Sequence, residues 1–245
     1  MTGGKMDYDE LAADYGANRR PDPAVANLLS DLAGASGAPL ILEIGVGTGN
    51  FASMLEGTFP TRVYGIDPSI EMLRQVAGPA GRRIARARAE QLPFAEGTFT
   101  LVYSVDVIHH VKEREKAAGE AFRVLQPGGQ IVIVTDSEED IANRVPLSRY
   151  FPETIDPEIA RYPRIDTLEI ELSRAGFTEI VRRQTLTRRK VTDITPYRMK
   201  AFSSLHLISP EAHARGVAAL AAALRNGPIP VEARYTILAG RKTGS

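Results

Sequence analysis

Three glycines at alternate positions, Gly45, Gly47 and Gly49, stand between an apolar run, LILEI at 40–44, and a helix-forming stretch that begins FASML. A glycine-rich turn from a strand into a helix lets a ligand approach the backbone and meet N–H groups at the helix N-terminus. Two acids accompany it: Glu43, two residues before the turn, and Asp67, eighteen residues after Gly49 at the end of the next run, RVYGI at 62–66. A carboxylate at that place in a strand–helix–strand unit can accept both hydroxyls of an adenosine ribose. The spacing departs from the dinucleotide fingerprint G-x-G-x-x-G, because position 50 is Asn50 and the third glycine comes one residue early. The phosphate cradle G-x-x-x-x-G-K-[ST] is absent as well. The pattern points to a mononucleoside ligand.

A second cluster lies further along. His109 and His110 follow the run FTLVYS at 99–104, and Asp136 follows QIVIVT at 130–135. All three are expected at C-terminal ends of strands, where open α/β sheets place their ligands. Any of them can serve as a general base toward a nucleophile, a role worth about 10²–10⁴ in rate. Successive residues on a helix diverge by about 100°, so one histidine is expected to face the reacting group and the other to pack or cap. No metal site is expected, since the chain has no cysteine and only four histidines, and adjacent histidines do not easily share an ion. His206 and His213 flank Ser209-Pro210 and read as cap or surface residues.

The elements that must hold these groups are legible in the hydrophobic pattern. Residues 6–18 read as an amphipathic helix carrying Leu11, Ala12 and Tyr15. Asp22-Pro23 is a helix start, followed by the stripe Val25, Leu28, Leu29, Leu32 and a stop at Gly34. Five β-type runs come next, at 40–44, 62–66, 83–87, 99–104 and 130–135, with helical stretches between them at 50–56, 69–77 and 112–125. The first, fourth and fifth runs are almost continuously apolar, as strands buried on both faces must be. Such alternation predicts an α/β fold, a doubly wound and mostly parallel sheet with helices on both faces.

The regularity fails at 137–165, where Pro146, Pro152, Pro157 and Pro163 predict a loop or broken helices. Asp166-Thr-Leu-Glu169 reads as a capping box that opens a helix ending at Gly176. A strand at 177–186 follows, then a helix from Ser209-Pro210 with Val217, Leu220 and Leu224 on one face, and a last strand at 233–240. Arg182, Arg183, Arg188, Arg189 and Lys190 read as a solvated sheet edge that resists strand pairing, the alternative being a basic stretch that meets an anionic substrate.

Thirty basic residues balance thirty acidic ones, so no global charge recommends nucleic acid or an anionic membrane as partner. No apolar run approaches the ~20 residues of a membrane span, and MTGGKMDYDE lacks a basic-then-apolar signal pattern. The expectation is a soluble, cytoplasmic protein. Nothing in the sequence speaks to oligomeric state.

Four segments together resemble the class I S-adenosylmethionine-dependent methyltransferases of the small-molecule, ubiquinone/menaquinone-biosynthesis-like (type 11) group. They are ILEIGVGTGNF (41–51), VYGIDPSIEML (63–73), AEQLPFAEGTFTLVYSVDVIHHV (89–111) and AFRVLQPGGQIVIV (121–134). The resemblance implies a Rossmann-like, seven-stranded sheet whose last strand is antiparallel. It implies a helical cap at 1–38, a cofactor-binding core at 39–136, and sheet completion with substrate-capping insertions at 137–245. It also implies S-adenosyl-L-methionine as cofactor and a small-molecule acceptor; O or N is favoured over C as the atom methylated. The alternative is a protein of this fold that binds the cofactor without methyl transfer, in a cyclase-like or nucleoside-binding role.

Carried over residue by residue, the resemblance gives the glycine loop and Glu43 to the methionine and ribose portions of the cofactor. Asp67 goes to the ribose hydroxyls, Pro68 to the adenine face, the Ala89–Glu90 backbone to the adenine edge, and Ser104 to the neighbourhood of the sulfonium. Tyr15 with Arg19 or Arg20 would reach the cofactor carboxylate. In resembling sugar and natural-product O-methyltransferases, a His-His pair and an Asp at the places of His109, His110 and Asp136 serve in deprotonation. Two positions depart from the pattern: Arg88 stands where an acid often accepts from the adenine amine, and Thr100 where Asp is usual.

Overall fold

The computed structural model describes residues 21–34, 40–58 and 60–244. The helix expected at 6–18, with Tyr15, and the basic residues Arg19 and Arg20 lie outside the described residues. In chain order the elements are α1 (Pro23–Gly34), β1 (Leu40–Ile44), α2 (Asn50–Thr58), β2 (Arg62–Asp67), α3 (Ile70–Leu73), β3 (Ile84–Arg86) and β4 (Phe99–Val105). Then follow α4 (Arg114–Val124), β5 (Leu125–Thr135), α5 (Glu138–Ala142), α6 (Leu147–Tyr150), α7 (Ile155–Arg161) and α8 (Ile165–Arg174). The chain closes with β6 (Thr178–Val191), α9 (Thr195–Arg198), α10 (Pro210–Leu224) and β7 (Ile229–Arg241).

The seven strands form one sheet in the order β3-β2-β1-β4-β5-β7-β6. β1 to β5 pair in parallel. Gly128 N–H donates to Lys242 O at 2.7 Å and Lys242 N–H to Gly129 O at 2.9 Å. These bonds set the end of β7 beside the start of β5, so β7 runs antiparallel. The order reverses between β1 and β4, the switch point at which doubly wound sheets open a crevice for ligands.

The chain divides into two compact units. One contains the described residues of 21–135 with Ile165–Arg183 and 237–244. Its core packs Leu42, Ile44, Val102, Ile131 and Ile133 from the sheet with Ala117 and Ala121 of α4 and Leu168 and Leu172 of α8. The other contains Asp136–Arg164 and Gln184–Thr236. It has its own core, which includes Leu147, Phe151, Tyr197, Leu205, Leu220 and Val231. Gly216 of α10 is part of that packing, because a Cβ there would lie 2.2 Å from Phe151 Cδ1.

Local chemistry explains most element boundaries. Asp22 caps α1, its Oδ1 accepting from Ala24 N–H at 3.0 Å, and Ser209 caps α10 through Ala212 N–H at 3.2 Å. The helix expected at 69–77 stops at Leu73. Gln75 and Val76 tighten to i→i−3 bonds, and Gly78 turns the chain with φ 71°.

The capping box expected at Asp166–Glu169 does not form. α8 begins one residue earlier, and both carboxylates go instead to Arg182, at 2.5 and 3.0 Å. A capping box does occur at Ser137 and Asp140, opening α5. The segment 137–165 is a series of broken helices rather than open loop. β6 is the edge strand, and it is longer than the 177–186 expected, as β7 is longer than 233–240. Among the described residues no helix is long and apolar enough to cross a membrane.

Candidate active site

β1 ends at Ile44 and α2 starts at Asn50, leaving Gly45–Gly49 as the loop between them. Gly45, Gly47 and Gly49 have φ of 76°, 53° and 81°, left-handed values that only glycine adopts at little cost. At Gly45 a Cβ would also meet Val107 Cγ2 at 2.3 Å, whereas at Gly47 nothing lies within 4 Å. The Gly47 backbone therefore faces open space, as it must if a ligand is to approach it.

Asp67, at the end of β2, is tied to this loop. Its Oδ2 accepts from Gly47 N–H at 3.0 Å and its Oδ1 from Ser69 N–H at 2.9 Å. Pro68 beside it is exposed. Glu43 lies beneath the loop and is buried. Its Oε2 accepts from the Tyr103 hydroxyl at 2.8 Å, and its carboxyl also accepts from Ala52 N–H in the first turn of α2. Burial, then the charge of Asp67, push its pKa up to about 8 against the pull of these two donors.

Ser104 is buried at the C-terminal end of β4. A short 3₁₀ turn at Ile108–His110 follows, with His109 half-buried and His110 exposed. The two imidazoles do not diverge as expected. Their centroids are 3.9 Å apart with planes inclined at 51°, so the rings fold back on one another despite a turn that separates successive side chains by about 120°. Ala89 is packed into the core. Glu90 accepts from Lys112 N–H at 3.3 Å and faces Arg88 Nε at 3.5 Å. Burial would raise the Glu90 pKa, but backbone donors and Arg88 outweigh it and hold it below the usual carboxylate range.

Asp136 is the first residue beyond β5 and is buried. Arg144 Nη2 reaches its Oδ2 at 2.8 Å, Arg144 Nη1 reaches Glu158 Oε2 at 3.2 Å, and Arg161 pairs with Glu158 in turn. The alternating chain Asp136–Arg144–Glu158–Arg161 lies within one unit and joins Asp136 to α7. Sequence reasoning missed Arg144, Glu158 and Tyr103. The first two are separated by proline-broken helices that carry no period, and Tyr103 reads as an ordinary apolar strand residue. A small apolar cavity of about 40 Å³ lies beside Ala89 and Ser104.

Residues 42–133 match the family model described as a methyltransferase domain. Residues 42–133 are an S-adenosylmethionine-dependent methyltransferase domain. The O-methyltransferase cnsE of Penicillium expansum is 29% identical over 147 residues, 57% of this chain and 52% of that protein. The match thus spans about half of that relative's own length. Demethylmenaquinone methyltransferase of Thermus thermophilus is 29% identical over 185 residues, 64% of this chain and 81% of that protein. A solved structure of a methyltransferase attributed to an antibiotic biosynthesis pathway of Anabaena variabilis has a TM-score of 0.75 at 24% identity, covering 91% of this chain and 98% of that one. That likeness concerns the fold.

The methyltransferase domain's residues fit its cofactor. The loop is left-handed at three glycines and open at Gly47, and a rim carboxylate is aligned by two backbone N–H groups. The two departures also have places in the domain. Arg88 answers Glu90 rather than standing as an acceptor, and the Thr100 hydroxyl donates to Leu40 O at 3.1 Å, tying β4 to β1.

Proposed function

We propose that this chain transfers the methyl group of S-adenosylmethionine to an oxygen or nitrogen of a small molecule, in the cytoplasm. The observation that supports this reading best is the Asp67 carboxylate fixed on the open glycine loop at the sheet's switch point. When bound, the cofactor supplies a methyl group on a sulfonium, reactive enough for direct displacement. The chain's own task is alignment, which can contribute roughly 7–11 kcal/mol, and removal of a proton where the acceptor carries one.

In this reading Glu43, Gly45, Gly47 and Gly49 hold the methionine and ribose portions, and Asp67 accepts from the ribose hydroxyls. Pro68 and the backbone of Ala89 and Glu90 border the adenine, Ser104 borders the reacting centre, and Tyr15 with Arg20 meets the cofactor carboxylate. His109 or His110 takes the proton, and Asp136 supports the site from the end of β5. An oxygen or nitrogen acceptor is favoured over carbon because one imidazole can accept its proton in a single step. Acceptor selection is assigned to residues 1–38 and to the insertions within 137–245.

Incubation with methyl-labelled S-adenosylmethionine and a metabolite extract tests the proposal. A labelled small molecule is expected; tight cofactor binding with no label transferred would favour the cyclase-like or nucleoside-binding alternative. Asp67→Ala should weaken S-adenosylhomocysteine by about 1.5–3 kcal/mol, roughly ten- to a hundredfold, the worth of hydrogen bonds to a charged acceptor. Asp67→Asn keeps an acceptor for only one of the Gly47 and Ser69 N–H groups and turns an amide NH2 toward the other, so it should weaken binding too, though less than Asp67→Ala. Calorimetric titration of the folded variants decides this, and unchanged affinity in both would place the nucleoside elsewhere.

A further inference from the structure

Glu43 and Tyr103 are neighbours across the β1–β4 ladder. Both are buried, Glu43 with 3% of its surface exposed and Tyr103 with none. The phenol donates to Glu43 Oε2 at 2.8 Å, and the carboxyl also accepts from Ala52 N–H. Ala52 lies in the first turn of α2, directly after the glycine loop, where helix N–H groups lack partners within the helix. One carboxyl therefore joins the strand that enters the loop to the helix that leaves it.

The charged surroundings of this carboxyl are unusual. Its hydrogen-bond donors, Tyr103 from β4 and Ala52 from α2, are both neutral. Among the described residues, the charge that acts on it is that of Asp67 at the end of β2, of the same sign. Glu56 of α2 acts on the Tyr103 phenol and is itself paired with Arg83. A buried carboxylate among neutral donors and like charges is costly, and such a group keeps its proton instead. The pKa of about 8 for Glu43 and the strongly raised phenol of Tyr103 agree with that geometry.

We propose that Glu43 and Tyr103 form a proton-holding pair beneath the glycine loop, which keeps one proton while the loop is empty and releases it to solvent when the positively charged cofactor binds. Tyr103 is the positioning residue that sets the pH of release. The inference rests on the cofactor reading above. The balance is simple: the Glu43 O–H bond breaks, its proton goes to buffer, and the carboxylate formed is offset by the net positive charge of S-adenosylmethionine. The sign follows from linkage. Protonated Glu43 opposes binding, so affinity rises with pH, by up to about tenfold per unit, and levels off once Glu43 is ionised in the free protein, above about 8.

The experiment is calorimetric titration of the full chain with S-adenosylmethionine at neutral pH in two buffers of different ionisation enthalpy, repeated across pH. The wild type should release up to one proton. Glu43→Gln should lose the release and the rise of affinity with pH. Tyr103→Phe removes a donor that favours the carboxylate, so its release profile should move to higher pH, a shift that a purely structural role would not produce. Binding without buffer-dependent heat overturns this inference and leaves the cofactor reading intact, as does a Tyr103→Phe profile that superimposes on the wild type. Absence of binding by the wild type overturns both. If Glu43→Gln fails to fold, the wild-type heats and the Tyr103→Phe profile decide alone.

Discussion

Replacing both histidines of the 3₁₀ turn, His109→Ala with His110→Ala, is expected to lower kcat by about 10²–10⁴ while S-adenosylhomocysteine affinity stays within a few-fold. The separation follows from where the groups sit. Cofactor affinity is assigned to the glycine loop and Asp67, whereas the imidazoles stand beyond the end of β4. The ring centroids are 3.9 Å apart, so either imidazole can occupy nearly the same space when the other is removed. The single variants should therefore lose less than the double, and their effects should not add. His109→Ala should cost more stability than His110→Ala, because His109 is half-buried and His110 exposed. Once the product of the labelling experiment is known, acceptors of increasing acidity provide a second readout. A base matters less for a proton that leaves readily, so the penalty of the double variant should shrink along that series. Full turnover by the double variant at saturating cofactor would leave a methyltransferase that works by alignment alone.

The parts of the site legible in the sequence are those that local rules dictate. Gly45, Gly47 and Gly49 stand where a strand turns into a helix. Asp67 ends the following strand, and parallel pairing of β1 with β2 brings its carboxylate to the loop. The polar partnerships of buried groups were not legible, because they depend on strand order and on packing. Glu43 and Tyr103 meet only because β4, rather than β3, lies beside β1.

The Asp166–Glu169 box failed for a related reason. A capping box assumes that the two side chains satisfy each other's backbone, but the Arg182 guanidinium from β6 offers both carboxylates a charged donor. The basic stretch on β6 is thus partly engaged rather than only solvated. Arg144 was hidden in the same way, in a segment whose prolines erase the periodicity on which sequence reading relies.

Arg144→Met should destabilise the unit formed by 136–164 and 184–236 by about 3–5 kcal/mol, the cost of breaking a buried ion pair from one side. Among the described residues Arg144 pairs with both Asp136 and Glu158, and Arg161 pairs with Glu158 as well; both carboxylates are at most 5% exposed. The guanidinium itself is 26% exposed, which screens part of the interaction and places the expectation near the lower bound. Thermal denaturation should show Tm falling by about 6–20 °C for that loss. Neutralising the chain together, as Asp136→Asn, Arg144→Met, Glu158→Gln and Arg161→Met, should recover part of the stability, since a buried ionic cluster replaced as a whole leaves no orphaned charge.

The same variant separates the two roles open to Asp136. The Asp136 Oδ2 is engaged by the Arg144 guanidinium at 2.8 Å and is not free to take a proton from an acceptor. If Asp136 were the base, removing Arg144 would free that oxygen, and kcat of the surviving folded protein would hold or rise. If an imidazole of the 108–110 turn is the base and Asp136 only supports the site, kcat should fall below that of the wild type under conditions where both are folded. A kcat that rises in Arg144→Met would move the proton from the histidines to Asp136.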